Sequence, residues 1–230
     1  MRGESHRVIA RHLAAEYLAE QPECHVRAFL LGSIQPDRNP ATYLKGSLRC
    51  QWLRGHNYAN SLRYMRRLSR RLERKDSYTV PDYYALGKLI HYTADAFTYA
   101  HNSHFPKGMD LHRAYERRLQ NYFVPYILSE PASTYASGCN LTDLIQKLHR
   151  EYMKLPPDIE TDTLYILTAC RSIFHHLAGK NCQIKKHFLL QSSTTRGIMS
   201  ATTVLGGNYG TRNRNCTVLL WLLLLFYDKK

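Results

Sequence analysis

Residues 86–116, LGKLIHYTADAFTYAHNSHFPKGMDLHRAYE, contain four histidines, two aspartates and a glutamate among tyrosines and aliphatic residues. Their spacing carries the chemistry. His91 and Asp95 stand four apart, as do His112 and Glu116. On a helix each pair leaves the same face one turn apart and can aim two donor atoms at one cation. His101 and His104 fall between the pairs, where the first helix should end. Imidazole and carboxylate without a thiolate is the donor set of a catalytic zinc site more than of a structural one. A single His–x3–Asp pair among twelve histidines would be read as a cap or a surface feature. Two pairs with further histidines between them point to a metal.

The elements that must position these residues are helical throughout. Ser5 is a plausible cap for a first helix over 5–20, which carries His6 in its first turn. The segment 28–47 is punctuated by Gly32, Pro36, Pro40 and Gly46 and is expected to be a loop, with Asp37 in a turn. His56 follows Gly55, near Trp52 and Tyr58. Leu62, Met65, Leu68 and Leu72 form an apolar stripe over 60–75, backed by six arginines between Arg63 and Arg74. That second face reads either as a solvated surface or as a platform for phosphate groups. Pro81 starts a central helix over 81–101 that is apolar on most sides, as a buried helix is. A buried carboxylate on such a helix needs a partner, and a cation is the most economical one. Further helices are expected over 110–129, 140–154 and 161–178. The fold class is all-α: one multi-helix domain over 1–180 with the zinc ligands in its core. The segment 181–230 is rich in Gly, Ser, Thr and Asn and closes with an apolar run at 218–227 that could be a last core helix. That run is too short to span a bilayer.

Bulk properties bound the partners. The 230 residues carry 32 Lys+Arg against 18 Asp+Glu, a formal charge of +14. This predicts attraction to polyanions, either nucleic acid or an anionic membrane surface. The six scattered cysteines read as buried or free thiols rather than a disulfide scaffold. The N-terminal MRGESHRVIA has no apolar run of signal-peptide type, so a cytoplasmic location is expected.

The ordered pattern resembles the zinc-dependent phospholipase C family, bacterial enzymes that share an all-helical fold with the P1/S1 single-strand nucleases. LIHYTADAFTYAHNSHF (89–105) is similar to that family's L-H-Y-x-G-D-x-x-x-P-x-H signature, with His91, Asp95 and His101 on its metal ligands. HRAYE (112–116) resembles the H-x-x-x-E that follows, SHRVIA places His6, GSIQPD places Asp37, and His56 precedes the next helix. The resemblance implies three zinc sites: Asp37, His56, His91 and Asp95 at one; His101, His112 and Glu116 at a second, with an open position for water; and His6 with a bridging Asp95 and the N-terminal residue at a third. Two zinc ions are expected to be held firmly. The third is expected to be weak, because the family uses an N-terminal tryptophan freed by cleavage, whereas here Met1 stands five residues before His6 and Glu4 competes for the position. Ala94 and Tyr99 replace the signature's Gly and Pro. Arg38 follows Asp37 where choline-preferring members place an aromatic, so no head group is carried over.

The implied activity is hydrolysis of a phospholipid or other phosphodiester, with Asp37 orienting or deprotonating the water. A single-strand nuclease of the same fold is the first alternative, with Trp52 and Tyr58 as base-stacking residues and nucleic acid as substrate. A non-catalytic metal-binding or membrane-surface protein is the second.

Overall fold

The structure, a computed structural model, describes residues 1–46, 48, 54–106, 108–129 and 140–179. The expected C-terminal segment and its closing helix lie outside these residues, as does Trp52. The described chain is all-α: α1 (Gly3–Tyr17), α2 (Glu23–Arg38), a 3-10 turn (Pro40–Leu44), α3 (Tyr58–Glu73), α4 (Val80–Ala96), a second 3-10 turn (Tyr99–His101), α5 (Met109–Ser129), α6 (Leu141–Tyr152) and α7 (Ile159–Ala178). No described helix is long and apolar enough to cross a membrane.

Helix α4 is the axis. It packs against α2, α3 and α7 and more lightly against α1, so apolar side chains are buried around its circumference: Tyr83, Leu86, Leu89, Ile90 and Tyr92 are all fully covered. Its start is fixed by Asp82, whose Oδ2 accepts from the Thr79 backbone N–H at 3.0 Å and the Thr79 hydroxyl at 2.6 Å. The same buried carboxylate takes Arg71 at 2.8 Å and Lys75 at 3.0 Å, which ties the end of α3 to the start of α4. Helix α3 divides as its stripe demands, with Met65, Leu68 and Leu72 inward and the arginines outward.

The segment expected as a loop is instead α2 and the turn that follows it. Gly32 and Pro36 read as helix breakers, yet both lie inside the helix. The glycine is there for contact, not for a turn. A Cβ on Gly32 would sit 2.2 Å from the carbonyl oxygen of Tyr84, and one on Gly87 would sit 2.1 Å from that of Phe29. The two helices therefore cross backbone to backbone, and any side chain at either glycine would force them apart. Proline at position 36 costs only a bond in the last turn, where the helix is ending. Asp37 accordingly stands on a helix end, not in a free turn.

Two smaller expectations also change. Helix α1 starts at Gly3 after extended Arg2, so Ser5 is no cap; it is buried, and its hydroxyl has no hydrogen-bond partner among the described residues. The family of thiols fails at Cys24, which is disulfide-bonded. Cys170 is free and buried, and burial pushes its thiol well up.

Overpacking a backbone crossing has no flexible neighbour to absorb it. We expect Gly87→Ala to lower stability by about 3 kcal/mol in urea unfolding, with Lys147→Ala on the exposed face of α6 nearly neutral. Equal small effects from both would show that the two helices are not in backbone contact.

Candidate metal centre

The α2–α4 crossing sets Asp37, at the end of α2, beside His91 and Asp95 on one face of α4. Helix α1 lays His6 flat on His91, ring centroids 3.8 Å apart. The loop before α3 brings in His56 beneath Tyr43, which stacks on it at 4.6 Å. Beyond the end of α4 the second 3-10 turn presents His101, and α5 presents His112 and Glu116. All eight side chains singled out from the sequence meet here. Their donor atoms form three groups, each within 4.8 Å: His6, His91 and Asp95; Asp37, His56 and His91; and His101, His112 and Glu116. His104, between the two pairs in sequence, is exposed and outside every group.

Asp95 joins the groups. Its Oδ1 faces His6 Nε2 at 3.2 Å and His101 Nε2 at 3.5 Å. Its Oδ2 faces His56 Nδ1 at 3.2 Å and His91 Nε2 at 3.3 Å. Burial pushes this carboxyl up, but His101, the Met1 amino group, His6 and His91 outweigh it and hold it well below the usual carboxylate range.

The hydrogen-bond partners on the far sides of the rings show that these atoms fit a cation. His91 Nδ1 is 2.9 Å from the Ser33 carbonyl, so it carries the proton and Nε2 offers a lone pair. The Thr42 hydroxyl lies 2.6 and 2.7 Å from the carbonyls of Pro36 and Asn39, which take its single hydrogen. It must then accept from His56 Nε2 at 3.0 Å, leaving Nδ1 as a lone pair. In the neutral rings, two bare imidazole nitrogens 3.3 Å apart thus face one another and the oxygens of Asp37 and Asp95. Four acceptors with no proton among them are mutually repulsive unless a cation lies between them. His6 stays neutral, its pKa lowered to about 4 by burial and then by His91, so it needs no proton removed to act as a donor.

The Met1 amino nitrogen enters the same space, 2.6 Å from Asp95 Oδ1, 2.6 Å from His101 Nε2 and 2.9 Å from Glu116 Oε1. Burial pushes it down, yet Asp95 and Glu116 raise it to about 11. Glu4, the expected competitor, is turned out to Arg7 at 2.7 Å. The backbone is extended at Arg2, before α1 begins, and the terminus reaches these atoms.

Exposure distinguishes the groups. The side chains of Asp37, His112 and Glu116 are 24%, 23% and 14% accessible, while those of His6, His91 and Asp95 are at most 1%. The centre is closed at His6 and open along Asp37 and the α5 pair.

Several supporting residues escaped the sequence. Thr42 and the Ser33 carbonyl fix two ring tautomers. Asp162 on α7 accepts from the Tyr99 backbone N–H at 2.8 Å and the Tyr115 hydroxyl at 2.9 Å, anchoring the neighbours of His101 and Glu116. Asn102 caps the end of α4 through the carbonyls of Ala96 and Thr98 and accepts from His149 Nε2 at 2.9 Å. No spacing rule marks any of them.

Fold and site together define an all-helical protein whose core is able to hold metal. The family described as zinc-dependent phospholipase C matches residues 5–159, and the chain belongs to that family. No curated protein and no solved structure matches it.

Two predictions follow from the buried imidazoles. Thr42→Val removes the acceptor that fixes the His56 tautomer while keeping shape, so zinc affinity in competition with a chelating dye should fall about 10–100-fold; unchanged affinity would mean that Thr42 has no part in orienting the ring. The second concerns His149, buried beside Asn102, whose pKa burial lowers from 6.5 to about 4. The unfolded imidazole takes up a proton that the folded one refuses. Stability is therefore fully present above pH 6.5 and is lost as pH falls toward 4, by about 3 kcal/mol from this residue. His149→Phe should flatten the fall in urea midpoint across that window, and an unaltered slope would assign it to other groups.

Proposed function

We propose that this protein is a zinc-dependent phosphodiesterase that releases a phosphorylated head group from a phospholipid, as its family description implies. The observation that carries the reading is the asymmetry of the centre: two donor groups each have solvent-facing members, and the third is sealed. A purely structural metal site would be closed on all sides.

Asp37, His56, His91 and Asp95 would hold one ion, His101, His112 and Glu116 a second, and His6 with Asp95 a third. The first two are the firm sites; the Met1 amino group competes with metal for the atoms of the third. The metal supplies positive charge for the phosphoryl oxygens and lowers the pKa of adjacent water. Within the first group only Asp37 is both anionic and open to solvent. It is therefore the residue to orient the attacking water and accept its proton. His6 and Asp95, sealed beneath, hold the arrangement rigid. The nuclease alternative gains nothing specific from the site, because Tyr58 stacks on His149 with centroids 3.4 Å apart and is not offered to a base. The disulfide at Cys24 favours an oxidising compartment over the cytoplasm as the place of action.

Zinc-loaded protein should hydrolyse phosphatidylcholine or phosphatidylinositol and leave single-stranded DNA intact. Asp37→Asn should cut the rate about 100-fold or more, while His112→Ala should also lower zinc content by elemental analysis. A zinc-loaded chain that cleaves DNA but no phospholipid would overturn the assignment of substrate. One that binds no zinc would overturn the assignment of chemistry.

A further inference from the structure

Outside the metal centre, the outward face of α3 forms the wall of a concavity of about 950 Å3, floored by Leu44, Lys45 and Gly46 of the preceding turn. Lys45 and six arginines line it, and among the described residues no acidic one does. The arginines recur at three- and four-residue spacing, so they form one ridge and repel along it. A helix built only to face water intersperses both signs. Part of this charge is used internally: Arg71 bonds Asp82 at 2.8 Å, Arg66 bonds Gln146 at 2.7 Å, and Arg67 lies over the Tyr64 ring at 5.1 Å. Arg63, Arg70 and Arg74 have no carboxylate partner among the described residues. The field is felt nearby. Lys88 is held down at about 8 by burial and then by Lys45 and Arg71.

Two further features select the anion. Leu44 and Leu48, at the rim of the concavity, are 51% and 93% accessible. Exposed leucines beside a cationic groove suit a surface that is charged at its face and apolar just below it, which describes a bilayer and not a nucleic-acid duplex or strand. The groove also adjoins the centre. Tyr43 stacks on His56, and two residues on, Lys45 Nζ reaches over the Tyr64 ring at 4.7 Å. The turn Pro40–Leu44 is thus the partition between the metal centre and the basic groove.

We propose that this groove is the surface by which the protein docks on an anionic bilayer, with Arg63, Arg70, Arg74 and Lys45 at the head-group phosphates and Leu44 and Leu48 entering the interface. This deepens the phospholipase reading, and rests on it for the reason why docking would be useful, but not for the docking itself. Bound in this way, the partition turn lies on the membrane, with His56 of the metal centre directly behind it.

The test is co-sedimentation of zinc-loaded protein with phosphatidylcholine vesicles and with vesicles containing about a third phosphatidylglycerol. Strong preference for the anionic vesicles, reduced by salt as the Debye length shortens, is expected. The variant Arg63→Gln/Arg70→Gln/Arg74→Gln should weaken anionic binding about a hundredfold, each cation near a charged surface being worth roughly fivefold. Leu44→Glu, which leaves the arginines in place, should weaken it as well. Hydrolysis of a short-chain, monomeric phosphatidylcholine should be unchanged in both variants, since neither touches the centre. Equal binding to neutral and anionic vesicles, or anionic binding that survives the arginine substitutions, overturns the proposal. So does single-stranded DNA that displaces the protein from anionic vesicles at equal phosphate concentration, which would assign the groove to nucleic acid. Arginine-dependent vesicle binding by a chain that hydrolyses neither soluble nor vesicular lipid would uphold the docking surface and reject the phospholipase activity.

Discussion

A carboxylate with no exposure to water, Asp95, is the constraint on which this structure turns. Leaving such a group without compensation would cost more than most single interactions contribute, and removing one partner of a buried charge typically costs about 3–5 kcal/mol. Asp95 meets that demand by gathering imidazoles from α1, the loop before α3, its own helix and the turn beyond it. Four separate stretches of chain are thereby committed to one point. The fold surrounding α4 can be described as what is required to deliver those rings and then exclude water from them.

Delivery depends on how closely α2 approaches α4. With Cβ atoms at Gly32 and Gly87 the helices would separate, and Asp37 would retreat from His91. The same closeness brings the Ser33 carbonyl within 2.9 Å of His91 Nδ1, so the crossing that places the carboxylate also orients the ring it faces. Packing and electrostatics are here one device. The second histidine of that group is oriented differently, by a threonine whose own hydrogen is spent on two carbonyls. Both solutions leave a lone pair pointed inward.

The donors were legible in the sequence because their chemistry is local: residue type and helical spacing suffice for His91 with Asp95 and for His112 with Glu116, and the resemblance supplied the order of the rest. Six of the seven described helices were legible for the same reason, since each carries an apolar stripe of its own. Helix α2 was not. Gly32 and Pro36 weigh against a helix when judged by propensity, and the reason for Gly32 is a backbone carbonyl on another helix, fifty-two positions away at Tyr84. Thr42 and Asp162 were illegible in a stronger sense. Thr42 matters through two carbonyls and a ring, and Asp162 through Tyr99 and Tyr115; nothing about either residue's own neighbourhood in the sequence distinguishes it from any threonine or helix-start aspartate.

The disposition of charge ties the centre to its surroundings. Asp82, Asp95 and Asp162 are fully buried, and Glu116 and Asp37 point into the centre. The acids that the core consumes are therefore missing from the surface, which is left more positive than the formal +14 conveys. A cation bound among the carboxylates would offset their negative field and leave the exterior basic. Anionic partners are then attracted at a range set by the Debye length, and α3 concentrates the attraction into a groove. Long-range attraction brings a phosphate-bearing surface to the molecule; the groove beside the partition turn decides which side of the molecule it meets.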